Sequence, residues 1–290
     1  MQLGIHQFSY SVNEVQPYIN WLYFYHAWGL TGKPLAEQQQ LHSEAEAMLA
    51  DFSQRGYQAH ALCGLFEANS SGDDIVISPP ETTPAGEGLK EAFLLPMLRQ
   101  QRPAHAGQPN LCLADYIRPV SSGQKDYIGV FAATMHHATE TDFSSEPYQK
   151  MMAQTLADRL AEATAERLHQ QVRKTLWGYA PQEQLSIEQL LREDFQGIRP
   201  AVGYPSLPDT SINFLIADLL NIARIGIRLT ESGMMVPHAS VSGLMFAHPK
   251  AHYFDLGKIG SDQLRDYARR RGLPVTLIRR FLASSLIEEE

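Results

Sequence analysis

Arg199 and Tyr204 stand in the run Gly197-Ile-Arg-Pro-Ala-Val-Gly-Tyr-Pro205, which continues as Ser206-Leu207-Pro208-Asp209. Proline fixes φ and removes a backbone donor, and glycine opens conformations closed to other residues, so a run this rich in both forms a rigid, turn-filled loop. Such a loop can present N–H and C=O groups to a ligand. Arg199 adds a planar fork suited to a carboxylate, and Tyr204 adds an aromatic face with a polar tip. Composition alone is equally that of a merely structural loop. Other residue types say less. Cys63 and Cys112 lie in apolar stretches without CxxC spacing, which reads as buried thiols rather than a metal clip or a disulfide framework. His136 and His137 are adjacent and cannot share a helical face. GxGxxG, P-loop, GxSxG and HExxH patterns do not occur.

The elements that must hold the loop are read from periodicity. Ser11, with Glu14 three residues on and Val15, Ile19 and Leu22 at helical spacing, predicts a capped helix. A second helix is expected over residues 42–54, with Ala45, Met48, Leu49 and Phe52 as its apolar stripe. Residues 59–78 carry a hairpin signal, an apolar run ending at Phe66, then Asn69-Ser70-Ser71-Gly72 and the strand-like Asp74-Ile75-Val76-Ile77. Residues 126–135 read as a strand. Ser145-Glu-Pro opens the longest helix, which should run to about Trp177 and stop at Gly178. Along it Ala153, Ala157, Ala161 and Ala165 form a small-residue stripe open to close approach by another backbone or a flat ligand. Beyond, residues 212–222 and 261–271 predict helices, 233–246 and 253–259 strands, and a short amphipathic helix follows Pro274. Residues 79–110 are rich in Pro, Gly, Gln and Thr around a helical patch at 89–99, and read as loop with a peripheral helix. Helices and strands interleave without βαβ spacing or an internal repeat, which indicates a mixed α+β fold with one curved antiparallel sheet.

Composition sets the outer bounds. With 290 residues, 44% hydrophobic and 19% charged, the chain can bury a sizeable core. A formal charge of −8 lacks the clustered basic surface that nucleic acid or an anionic membrane would demand, so neither is expected as a partner. No basic leader and no apolar run of the roughly 20 residues needed to span a bilayer is visible, and a cytoplasmic location is expected.

Arg199, Gly203, Tyr204 and Pro205 form an RxxxGYP pattern that resembles the S-adenosylmethionine (AdoMet) signature of the activation domain of cobalamin-dependent methionine synthase. Leu156-Ala-Asp-Arg-Leu-Ala-Glu162, Trp177-Gly-Tyr-Ala-Pro181, Leu229-Thr-Glu-Ser232, Ala239-Ser-Val-Ser-Gly243 and Asp266-Tyr-Ala-Arg-Arg270 resemble further stretches of that family in the same order. The resemblance runs from about residue 10 to about 285 and fades between 79 and 110. It implies that residues 1–290 form one C-shaped α+β domain, with helices flanking a bent antiparallel sheet and AdoMet in a surface cleft. The implied reaction is a rescue, in which an electron and a methyl from AdoMet return inactive cob(II)alamin to methylcobalamin.

The resemblance also assigns roles. Arg199 should bind the AdoMet carboxylate, and backbone groups at Ala201 and Gly203 should line the ligand. Tyr204 should sit near the sulfonium or the corrin approach. Tyr253 matches an AdoMet-contacting tyrosine, with Phe254 in the place of a second aromatic. Glu162 matches a site glutamate and, with Tyr204, is a candidate for the methyl-transfer machinery. Asn20, in Tyr18-Ile19-Asn20-Trp21, stands where the family has an acid that meets the ligand ammonium; Asn can accept that hydrogen bond but loses the charge attraction. After Pro205 the run Leu207-Pro208-Asp209-Thr210 replaces the Cys-Pro and His of many relatives. No DxHxxG cobalamin motif, flavin motif or iron–sulfur motif is present, so cobalamin and its lower ligand should come from a partner domain or chain of methionine synthase, and the electron from flavodoxin or another reductant. The chain should therefore be a methyltransferase component that acts in trans and is not active alone. Alternatives are reactivation of a different corrinoid methyltransferase, or a non-catalytic corrinoid-protein chaperone.

Overall fold

A computed structural model describes residues 1–78, 91–102, 107–143 and 145–287. Its strands, in chain order, are β1 (Gly4–Ser11), β2 (Gln58–Ser71), β3 (Asp74–Ile77), β4 (Phe93–Pro96), β5 (Asp126–Met135), β6 (Arg228–Leu229), β7 (Met235–Val236) and β8 (Ser240–Met245). The helices are α1 (Val12–Val15), α2 (Trp21–Ala27), α3 (Leu35–Gln54), α4 (Ala138–Thr141), α5 (Pro147–Gln171), α6 (Ile187–Leu191), α7 (Ile212–Leu220), α8 (Ser261–Arg271) and α9 (Val275–Phe281).

The main sheet is antiparallel, in the order β4-β3-β2-β5-β8, and β1 also pairs with β2. β2 is long enough to hold two partners on one edge, β1 along residues 58–65 and β3 along 68–71, while β5 covers its other edge. At the centre of the sheet both faces are buried. On β5, Phe131, Ala133 and Met135 join one apolar cluster with α3 and α5, and Ile128, Val130 and Ala132 join a second with α7. Alternate side chains of a strand point to opposite faces, so this double burial is why β5 reads as an unbroken apolar run. A third cluster joins Leu98, Leu256 and Ile259 to α8 and α9. Among the described residues no helix is long and apolar enough to cross a membrane.

α5 opens with Glu146, whose carboxylate accepts the Gln149 N–H at 2.7 Å, and with Pro147 in the first turn. It continues through a wider turn at Val172–Leu176, closed by Trp177 N–H donating to the Val172 carbonyl at 2.9 Å, and stops at Gly178 as the sequence suggested. The hairpin and the 126–135 strand also lie where expected. Several elements differ. The Ser11–Glu14 capping box exists, but its helix lasts only four residues before Pro17 turns the chain, and α2 starts anew at Trp21. α3 begins at Leu35, seven residues before the expected start at 42, since its first turns are largely polar and exposed and carry no apolar spacing to mark them. The helical patch expected at 89–99 is not a helix: Phe93–Pro96 pairs with β3 as β4, while Leu89 and Lys90 lie outside the described residues. The strand expected over 233–246 is split into β7 and β8 by Pro237, which has no N–H for a ladder. Residues 253–259 form no strand; only Ile259 bridges to Leu286.

Candidate functional site

The Arg199–Tyr204 segment is not a free loop. Ile198 bridges to Phe246 and Ala201 to Gly243, with Val202 N–H donating to the Ser242 carbonyl (2.9 Å) and Leu244 N–H to the Pro200 carbonyl (3.0 Å). The segment thus lies along β8 as a short extra strand. Gly243 makes this possible, since a Cβ there would stand 2.2 Å from the Pro200 oxygen and push the segment off the sheet. Gly203, at φ +90°, then turns the chain, a conformation that side chains disfavour.

Opposite this segment, α5 presents Arg159, Glu162, Ala163 and Glu166, which helical spacing places on one face. Between the two lies a cavity of about 590 Å³, closed by Tyr18, Asn20 and Tyr23 on one side, Leu190, Leu191 and Glu193 on another, and Tyr253, Phe254 and Asp255 on a third. Small-molecule sites span about 300–1,000 Å³, so one nucleoside-sized ligand fits. The 253–255 stretch is fastened by the Ser206 hydroxyl, which donates to the Phe254 carbonyl at 2.6 Å, and by Leu256 N–H donating to the Pro205 carbonyl at 3.1 Å. Two arginines and four carboxylates line the cavity, a formal net charge of −2 that suits a cationic ligand.

The structure brings Asn20, Glu162, Arg199, Ala201, Tyr204, Tyr253 and Phe254 to this one cavity. Gly203 stands behind its wall, its N–H donating to the Leu207 carbonyl at 2.8 Å. Tyr204 is half exposed, and its hydroxyl donates to Glu162 Oε1 at 3.0 Å. The Glu162 charge, with burial second, pushes the Tyr204 phenol up to about 12, so it stays a donor at neutral pH. Asn20 Oδ1 accepts the Leu22 N–H at 3.2 Å and so caps α2 as well as facing the cavity. The Tyr253 ring lines the wall while its hydroxyl accepts the Arg199 N–H at 2.9 Å. The alanine stripe of α5 is buried, with Ala153, Ala157 and Ala165 in the core cluster that includes β2 and β5; the cavity alanine is Ala163.

Glu166, Glu193 and Asp255 are the site carboxylates that sequence reasoning missed. Glu166 Oε2 accepts from Arg199 Nη2 at 2.8 Å. Burial disfavours the Arg199 cation, but the groups beside it, Glu166 foremost and then Tyr253 and Glu162, together outweigh that cost and hold the guanidinium ionised. Glu193, at φ +62°, has its carboxyl raised by burial against the lowering pull of Arg199. Glu166 was within reach of inspection, one helical turn beyond Glu162. Nothing local marks Glu193.

The sequence matches the profile of a family described as vitamin B12 dependent methionine synthase, activation domain, over residues 11–272. The chain belongs to this family. The activation domain is also similar to a solved structure, that of the MetH reactivation domain bound to AdoHcy, at 40% identity and a TM-score of 0.91 over 99% of this chain and 92% of that one. The helix-flanked α+β sheet expected from the sequence is the fold of that structure.

Proposed function

We propose that this activation domain binds AdoMet in the cavity between α5 and the Arg199–Tyr204 segment, and supplies its methyl group to a cobalamin carried by another domain or chain. The observation that carries this reading is the convergence of Arg199, Glu162, Tyr204 and Tyr253 on one acidic cavity of nucleoside size. AdoMet is a net cation bearing one carboxylate, which suits a cavity with surplus carboxylates and a buried guanidinium at one wall. Arg199 Nε is buried without a partner, so the fork retains donor capacity for that carboxylate. Asn20 accepts from the ligand ammonium. The Tyr204 phenol and Glu162, hydrogen-bonded to each other at the open side, face the sulfonium and hold its methyl toward the corrin. A cobalamin presented by the partner and reduced by flavodoxin or another donor would supply the nucleophile for the methyl, while the cavity would hold the sulfonium in place and retain AdoHcy as the leaving group until it is released.

The test mixes the chain with AdoMet, a reductant and a methionine synthase lacking its activation domain, and follows the cobalamin absorption spectrum. Conversion of cob(II)alamin to methylcobalamin is expected, slowed by Glu162→Gln and by Tyr204→Phe. If AdoMet binds normally and the spectrum stays that of cob(II)alamin, methionine synthase is not the client, and another corrinoid protein takes its place.

A further inference from the structure

From the cavity wall inward runs a layer of buried charge. Glu166, His169 and Arg173 follow at i, i+3 and i+7 along α5 and its continuation, and all three are buried. Arg173 donates through Nε and Nη2 to both oxygens of Glu183, each at 2.8 Å. His169 Nε2 lies 3.4 Å from the Tyr179 hydroxyl. Arg199 closes the layer on the cavity side through its contact with Glu166. The two ion pairs differ in geometry: Arg173–Glu183 is a two-bond fork that uses both carboxylate oxygens and leaves Arg173 Nη1 unpartnered, whereas Arg199–Glu166 is a single bond that leaves an atom on each side, Arg199 Nε and Glu166 Oε1, buried without a partner.

The main chain of Arg199 is fixed independently, by the Tyr253 hydroxyl on its N–H and by the bridges of its neighbours to β8. With the backbone held by one set of groups, the single bond to Glu166 decides the direction of the guanidinium plane. Glu162 also acts on the Arg199 charge, and Arg199 in turn acts on Glu193, so two other carboxylates compete for the fork. We infer that Glu166 is a positioning residue, which aims the Arg199 fork at the carboxylate of the AdoMet methionine moiety and sets the preference for ligands that carry that carboxylate. This rests on Arg199 receiving the carboxylate. Glu166 acts through Arg199, by keeping it off Glu162 and Glu193, so that the ligand meets an oriented pair of donors rather than a mobile charge.

The test titrates the full chain with AdoMet and with decarboxylated AdoMet, which keeps the sulfonium and the ammonium and lacks only the carboxylate. Wild type should prefer AdoMet, and Arg199→Ala should lose most of that preference. Glu166→Gln should lose roughly tenfold or more of it, the loss carried by one misdirected charge-assisted hydrogen bond and read as the ratio of the two affinities, so that a weakening of both cations by the lost charge does not count towards it. A merely structural role for Glu166 would weaken both ligands alike. Glu166→Asp keeps the charge but withdraws it by one methylene; it should lose the preference too, and it serves if the Gln variant does not fold. The inference is overturned if Arg199→Ala loses the preference while the Glu166 variants keep it, or raise it as removal of a competing carboxylate would. If Arg199→Ala itself keeps the preference, Arg199 does not receive the carboxylate and both statements fall together.

Discussion

Arg271 and Arg199 both set a largely buried guanidinium against a buried carboxylate, but the two pairs are finished differently. Asp209, the partner of Arg271, accepts from Ser211 N–H at 2.8 Å through one oxygen, and from the Ser211 hydroxyl (2.9 Å), the Tyr267 hydroxyl (2.7 Å) and Arg271 Nη1 (3.0 Å) through the other. Glu166, the partner of Arg199, accepts from Arg199 alone, and Arg199 Nε stays open. The Asp209 cluster ties α8 to the start of α7, and both of its carboxylate oxygens accept hydrogen bonds inside the protein. The Arg199 cluster lines a cavity, and part of its hydrogen-bonding capacity is left over. A saturated buried pair holds elements together; an unsaturated one beside a cavity is available to a ligand.

The largest effect expected from this contrast is on stability. Asp209→Ala removes one partner of the saturated cluster and leaves Arg271 buried without its counter-charge and Ser211 and Tyr267 without their acceptor. Breaking a buried pair in this way costs about 3–5 kcal/mol, so urea unfolding should show a loss of that size, with AdoMet affinity of the folded protein near wild type. A loss below about 1 kcal/mol would place this cluster with ordinary surface pairs.

A smaller effect belongs to the cavity-side region and is read by pH. His169, in the cavity-side layer, is held well below the ordinary histidine value by burial, then by the Arg173 and Arg199 cations. In the unfolded chain it titrates near about 6.5, so below that pH the unfolded state binds a proton that the folded state refuses. This contribution to stability is complete above about pH 6.5 and is lost as pH falls toward the depressed folded value, by up to about 1.4 kcal/mol per pH unit. Unfolding measured at pH values stepped downward from neutrality should show this slope in wild type and a shallower one in His169→Gln. Equal slopes would mean that His169 is protonated in the folded protein.

Much of this architecture is legible in residue order, and the exceptions share a cause. β5 and the β2–β3 hairpin are marked by their own residues, an apolar run and an Asn-Ser-Ser-Gly turn. Phe93–Pro96 is a strand because β3 offers it an edge, Asp74 opposite Pro96, a partner that local leucine spacing does not reveal. Tyr253 to Ile259 carries a strand-like apolar pattern but finds no ladder; side chains such as Ser206 hold it in place of a neighbouring strand. At the site, Arg199 and Tyr204 stand out because Pro and Gly around them fix the backbone, and the family resemblance adds Asn20, Glu162, Ala201, Tyr253 and Phe254. Glu166 stays hidden among ordinary helix glutamates, since its burial depends on an arginine 33 positions away that only the fold brings to it.

The binding half of the contrast is tested most directly by calorimetric titration of AdoMet into wild type and Arg199→Ala. One site per chain is expected, and the variant should bind more weakly by about 1.5–3 kcal/mol, the worth of a charge-assisted pair to the ligand carboxylate. Equal affinity in the two proteins would contradict the assignment and remove Arg199 from the AdoMet site.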